Sequence, residues 1–381
     1  MSRSKKPRLL IIAHLPPPVH GASSVSESVV HSEVIRERFD FNVIPLRFAN
    51  APADLGVYRL RKLPIVVKVA FAILRSCMLW RPDLVYFTLA PTGPAFIRDA
   101  FYTMILRVMR VPYVLHLHGK GVSATTVGLL GRRLYRWVLT KAFVIHLSPR
   151  LYGDISGFVE KERCYYVPNG IPDSGMTPNR ASKRLANTPI RILYLSNMGV
   201  SKGPLVLLDA LRILKDRRLP FEAIFAGAWK NDPCRDEFGA RVKRHRLEDQ
   251  VRYLGAVHGS EKDGLYQHAD VFVLPTQSDC FPLVLLEAMC HGIATVSTIE
   301  GAIPDIIVDG ATGYLIPPGD PGSLADRLAM LAADVDLAAR MGRAGRLRFE
   351  ELYTIARFER DLRNVLVHIL EATGSKLGST E

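Results

Sequence analysis

Two carboxylates, Asp279 and Glu287, stand eight residues apart in the segment PTQSDCFPLVLLEAMCHG. Asp279 falls in a polar loop just after the strand-like run Val271–Leu274. Glu287 lies inside the apolar run LVLLEAMC, where Pro282 marks the first turn of a helix. The plain structural readings are a capping role for Asp279 and a surface position for Glu287. A carboxylate set among Leu, Val and Met needs a partner, however, because burying an unpaired charge is costly, and this favours ligand binding. Backbone N–H groups around Cys280–Leu283 are expected to be free donors at a helix start, suited to hydroxyls or negative charge. A second candidate is Lys202 in NMGVSKGPLVLLDAL, beside Gly199 and Gly203 and ahead of a helix opening at Pro204. A point charge and helix-terminal amides converge there, as a diphosphate requires. Gly21, in LPPPVHGASS, permits close backbone approach before another helix and reads as a phosphate cradle. The loop is not the G-x-G-x-x-G dinucleotide fingerprint. His116 and His118 alternate on YVLHLHG and so share a face. His118 is nearer the carboxyl end and reads as a polar site residue; His116 reads as structural. No third ligand accompanies the pair, Asp334–Asp336 reads as solvated surface, and no metal is expected.

These residues need strands to aim them. Runs rich in Val, Ile and Leu at Arg8–His14, Phe41–Pro45, Leu84–Thr88, Pro112–Leu117, Ala142–Leu147 and Cys164–Val167 alternate with helical patterns such as Ser24–Arg36 and Ala95–Arg110. A second series follows, with strands at Arg191–Ser196, Phe221–Ala226, Val251–Leu254, Val271–Leu274 and Ala294–Ser297. Its helices are expected at Pro204–Asp216, Glu237–Arg246, Glu261–His268 and Pro282–His291. Such alternation predicts an α/β chain of two doubly wound parallel sheets. Ligands of such sheets sit outside the carboxyl ends of the strands, where each candidate above is placed. The boundaries read as 1–175 for the first domain, 176–189 for a Pro/Ser/Asn-rich linker and 190–353 for the second domain. A last helix, 354–371, is free to return to the first.

The 381 residues suit two domains, and 48% hydrophobic with 23% charged residues is a globular balance. Apolar stretches such as Pro64–Leu74 are broken by Lys or Arg before the ~20 residues of a membrane span, so none is expected. Five cysteines without a C-x-x-C pair argue against a disulfide framework and for a reducing, cytoplasmic setting. The net charge of +13 is all in residues 1–175, which hold 24 Lys and Arg against 11 Asp and Glu. Within them, 58–80 and 129–142 mix cations with Leu, Val, Phe and Trp at helical spacing, as an interfacial helix does. An anionic membrane surface, on the inner face of the plasma membrane, is therefore the expected partner of this half. Nucleic acid is not expected, since no nucleic-acid-binding motif accompanies the charge.

Taken in order, the motifs resemble the retaining nucleotide-sugar glycosyltransferases of family 4, whose GT-B fold has two Rossmann-like domains facing a central cleft. The resemblance rests on Pro16–Gly21, RPDLVYF, HLHG and VPNGIPD, then on SKGP, VRYLGAVHG, HADVFVLPT, DCFPLVLLEAMCHGIATVST and VDGATGYLIPPGD. It implies transfer of a sugar from a nucleoside diphosphate to a lipid-linked or glycan acceptor, in bacterial surface polysaccharide synthesis, with no cofactor and no metal. By this resemblance Glu287 binds the donor ribose, and Asp279 contacts the transferred sugar. Cys280 and Phe281 offer main-chain amides, and Lys202 neutralises the diphosphate. Gly21 lines the phosphate or acceptor side, and His118 stands at the sugar end. Two positions depart from the pattern: Asp279 replaces the usual glutamate, and Asn197 replaces the arginine five residues before the lysine. The diphosphate then leans on Lys202, backbone donors or another base such as Lys120. A sugar-nucleotide epimerase of the same fold and a binding protein with impaired catalysis are the alternatives.

Overall fold

Runs of Leu, Ile and Val buried on both faces can only be the inner strands of covered parallel sheets, and that is how they are used. The computed structural model describes residues 6–17, 19–48, 63–125, 128–175 and 188–374. Contacts divide the chain into two units, 1–170 with 355–381, and 171–354. Most of the linker segment read from sequence, 176–187, lies outside the described residues, as do 58–62 of the first basic stretch.

Unit 1 runs β1 (Arg8–Ala13), α1 (Gly21–His31), α2 (Glu33–Arg38), β2 (Asp40–Pro45), α3 (Leu63–Arg75), β3 (Leu84–Leu89), α4 (Gly93–Val108), β4 (Tyr113–Leu117), α5 (Val122–Thr125), α6 (Leu129–Leu139), β5 (Phe143–His146) and β6 (Cys164–Tyr166). The strands form one parallel sheet in the order β2-β1-β3-β4-β5-β6. Steps from β2 to β3, β3 to β4 and β4 to β5 all run the same way, so right-handed crossovers put α3, α4 and α6 on one face. The step from β1 to β2 runs the other way and puts α1 and α2 on the opposite face. Contacts of α3 with α4, and of α4 with α6, agree with this.

Unit 2 runs β7 (Ile190–Leu195), α7 (Pro204–Asp216), β8 (Phe221–Ala226), α8 (Asp232–Arg244), β9 (Val251–Tyr253), α9 (Gly259–His268), β10 (Val271–Leu274), α10 (Leu283–Cys290), β11 (Ala294–Thr298), α11 (Ile303–Ile306), β12 (Gly313–Ile316), α12 (Pro321–Ala333) and α13 (Val335–Leu352). Its sheet is also parallel, in the order β12-β11-β10-β7-β8-β9. The strand order reverses between β7 and β10. The last helix, α14 (Ile355–Ala372), packs on α2 in unit 1. The first unit ends at Gly170, earlier than the expected 175, because Ile171 pairs with Thr354 and its amide donates to the Tyr353 carbonyl (3.0 Å).

Several expected elements differ. The helix read over Ser24–Arg36 is two, because Ser32 leaves helical geometry and its hydroxyl accepts from the Ile35 amide (3.3 Å), capping α2. The stretch judged too interrupted to span a membrane is one continuous helix. A π-helical turn, Ser76–Trp80, extends α3, and Leu63–Trp80 is long and apolar enough to cross by length and composition. Lys68 and Arg75 do not break it because both sit on its exposed side, while Val69, Ala70, Ile73 and Cys77 enter the core.

Candidate functional site

The turn after β7 and the turn after β10 meet at the point of strand reversal in unit 2, the place where open parallel sheets hold ligands. The two turns are tied together: the Ser201 carbonyl accepts from the Gln277 amide (2.8 Å) and from the Thr276 hydroxyl (3.0 Å). Gly203 closes the first turn at φ +79°, and a Cβ there would collide with the Pro275 carbonyl. Only glycine fits this close approach in the left-handed region. Helix α7 then opens with Pro204 at its first position, no side-chain cap and no acid in its first turn. By contrast Asn231, Asp320 and Asp334 cap α8, α12 and α13 with their side chains. A lysine at the positive end of a helix is unfavourable without an anion. Here Asp279 supplies one: the Lys202 ammonium donates to its carboxylate (2.5 Å) and to the Ser278 carbonyl (3.2 Å), half-buried.

The other Asp279 oxygen accepts from the Cys280 amide (2.8 Å). That donor, expected to be free, is therefore engaged by its own neighbour. Pro282 is the cap residue of α10 rather than its first helical one, since its backbone is extended. The loop is also fixed from outside. The Ala302 amide donates to the Cys280 carbonyl (3.0 Å), and Gly301 passes so close to Asp279 that a side chain would not fit. Phe281 points its ring into the core against Tyr353, leaving its main chain to the loop. Asn197 is exposed at the head of the first turn, where its carbonyl accepts from Gly199 (2.8 Å).

Glu287, in the second turn of α10, does not touch Lys202. It accepts from Lys262 of α9 (2.8 Å) and from the Tyr266 hydroxyl (2.9 Å). Burial, then the neighbouring Glu287 charge, pushes the Tyr266 phenol well above its usual range, so it remains a donor. His291 stacks on the same ring at 5.0 Å. Sequence reasoning missed Lys262 and Tyr266, which lie on another helix with no local signal. It also missed Lys230, whose aliphatic stem lies over Gly199 and whose amide donates to Met198 (3.1 Å). Lys230 thus stands beside the turn that carries Asn197.

The two unit 1 candidates sit at the carboxyl edge of that unit's sheet. Gly21 is the first residue of α1, capped by His20, whose Nδ1 accepts from the Ser23 amide (3.3 Å). His118 follows β4 and lies 4.0 Å from the His116 ring, so both do share a face. His116 is buried and paired with the Tyr86 hydroxyl (2.6 Å), the structural role read for it. Burial, with His146 and His20 nearby, pushes the pKa of His118 down to about 3, so its imidazole is neutral near pH 7. Neighbouring this group, Arg98 reaches His14 (3.3 Å) and pairs with the buried Asp99 (2.7 Å).

Residues 176–348 match the family model described as glycosyl transferases group 1. The matched stretch, 45% of the chain, includes Lys202, Asp279 and Glu287. Over a longer stretch the chain is similar to the putative colanic acid biosynthesis glycosyltransferase WcaL of Escherichia coli K12, 28% identical over 221 residues, 55% of this chain and 54% of that one. It is also similar to the phosphatidyl-myo-inositol mannosyltransferase of Mycobacterium leprae, 28% identical over 63% of each chain. The alignments therefore span between half and two thirds of these relatives. Among solved structures, Anabaena Alr3699/HepE in complex with UDP and glucose matches with a TM-score of 0.72 at 18% identity, covering 95% of this chain and 100% of that one. A glycosyltransferase from Rickettsia africae matches at 0.75 and 16% identity, covering 96% and 99%. At these identities the likenesses to solved structures show the fold alone, the two-domain α/β fold called GT-B.

Proposed function

We propose that unit 2 binds a nucleoside-diphosphate sugar and that the chain transfers the sugar, with retention of configuration as in family 4, to a hydroxyl of a lipid-linked or glycan acceptor in surface polysaccharide synthesis. The observation that carries this reading is the convergence of Lys202, at the uncapped start of α7, with Asp279 at the strand-reversal point of unit 2. As the glycosidic bond breaks, negative charge grows on the leaving phosphate. Prepositioned cations and amides stabilise that charge most in the transition state. A bound diphosphate would share the Lys202 ammonium with Asp279, freeing a carboxylate oxygen for a sugar hydroxyl. Lys230 supplies the second cation in place of an arginine at 197. Glu287, held by Lys262 and Tyr266, accepts from the ribose hydroxyls. The leaving phosphate takes the acceptor proton on the same face, so no separate base is assigned. His118, neutral near pH 7, offers a hydrogen bond at the acceptor-side unit.

The test is a panel of sugar nucleotides scored by thermal shift and then by sugar release and transfer. Stabilisation by one donor with slow hydrolysis, and transfer once a polyprenyl-linked glycan is added, is the expected result. An isomerised sugar nucleotide from donor alone would overturn the reading in favour of epimerisation. Transfer is expected to persist in EDTA; activity that vanished and returned with magnesium would show that protein cations do not suffice.

A further inference from the structure

We propose that the outer face of α3, α4 and α6 is a docking surface for an anionic lipid bilayer, with the helix Leu63–Trp80 lying along the interface rather than crossing it. Helix α4 carries the first argument. Its outward row is Ile97, Phe101, Met104 and Val108, at spacings of four, three and four, and all four are exposed, Val108 to 74%. The opposite side, Asp99, Tyr102 and Leu106, is buried. The outer row of a helix that covers a sheet is ordinarily polar, so a wholly apolar one marks a surface that meets something apolar. Nothing in the sequence periodicity separated these residues from core positions.

The helices that contact α4 continue the pattern. Along the helix Leu63–Trp80, Val67, Phe71, Met78 and Leu79 are exposed, with Phe71 at 66%. On α6, Leu129 and Leu130 are exposed beside Arg132 and Arg133. Arg107 of α4 joins the two helices, lying 4.9 Å over the Trp137 ring and donating to the Trp137 carbonyl. All three helices lie on one face of the sheet by the crossover argument above.

Charge selects the occupant. Segments 63–80, 93–110 and 129–141 contain nine Lys and Arg and a single acid, Asp99, which is buried and paired with Arg98. From residue 100 to residue 153 there are eight Lys and Arg and no Asp or Glu. An apolar row among unopposed cations fits acyl chains below anionic headgroups. A second copy of the chain fits poorly, because a two-fold contact would press this basic face against itself. Spanning is excluded by the other side of the same helix. Only 22% of Leu63–Trp80 is buried in the unit, yet that share includes Val69, Ala70, Ile73 and Cys77, which belong to the core and would be stripped from it. This inference does not rest on the transferase reading.

The experiment is co-sedimentation of the full chain with phosphatidylcholine vesicles, with and without phosphatidylglycerol. Binding only to the anionic vesicles, weakened as salt is raised, is expected. Arg132→Gln with Arg133→Gln should lower the affinity by about tenfold or more. Ile97→Ser with Phe101→Ser should lower it comparably while leaving the melting temperature unchanged, since both side chains are outside the core. Alkaline carbonate should release the bound protein. Wild-type affinity in the Ser variant, no preference for anionic vesicles, or retention after carbonate would each overturn the proposal. So would a dimer in sedimentation equilibrium that Phe101→Ser dissociates.

Discussion

Asp279 reaches Lys202 with the shorter of the two acidic side chains and still spends its second oxygen on the Cys280 amide. If Lys202 stabilises the leaving diphosphate, Lys202→Ala should lower kcat/KM by on the order of 10²-fold, the scale of one donor to developing charge. Unchanged turnover of the true donor would remove that role. Glu287→Gln should act differently. It should raise KM for the donor with a smaller change in kcat, because a ribose contact is made equally in ground and transition states. A variant that lost kcat at constant KM would contradict the assignment. Lys230→Ala should resemble a milder Lys202→Ala, and Lys230→Arg should restore rate. At this scale Lys202, Asp279 and Glu287 were legible because their chemistry conflicts with their neighbours, as a charge among glycines or a carboxylate among leucines. Lys230, Lys262 and Tyr266 were not, because each looks ordinary where it stands and acquires meaning only through a partner 21 or more residues away.

The turn between β7 and α7 has to pass the Pro275 carbonyl at contact distance, and glycine at position 203 is what allows it. Gly203→Ala should therefore destabilise unit 2 by about 1–3 kcal/mol, combining strain at positive φ with the displaced carbonyl. A melting temperature lower by several degrees, together with weaker donor binding, is the expected readout; a neutral effect would show that the turn relaxes freely. The strand runs and α7 could be read from sequence because buried parallel strands are continuous apolar segments and Gly-Pro marks a helix start. β12 was not read as a strand because its four residues, GYLI, open on a glycine and carry a single β-branched side chain. The exposed apolar row of α4 was invisible for a different reason. Periodicity identifies apolar positions but cannot say which of two apolar sides faces the sheet.

Unit 1 buries an unusual number of imidazoles, and this sets its response to acid. Burial pushes His14 and His118 down to about 3 and His146 to about 4, with His116 also well below its ordinary value. The unfolded chain takes up these protons near pH 6.5 and the folded unit does not, so stability is full above that pH and falls as pH drops toward 4. Asp99 opposes this between about 4 and 6, since burial raises its carboxyl to about 6 and the folded form is protonated first. Four imidazoles outweigh one carboxyl. Calorimetry of the full chain at pH 7.5 and pH 5 should show one transition moving down at the lower pH, by on the order of 1 kcal/mol per pH unit for each imidazole, and His146→Asn should reduce the shift. An unmoved transition would mean that the rings are solvated. A separate consequence follows from α14 joining α2. Unit 2 is a continuous stretch, whereas unit 1 is written in two pieces on either side of it. On the ribosome the second lobe can therefore close while the first still lacks its final helix, and the nascent sheet of residues 8–166 waits for a segment translated some 190 residues later. A holdase chaperone should accordingly find its longest-lived target in the earliest-made part of the molecule.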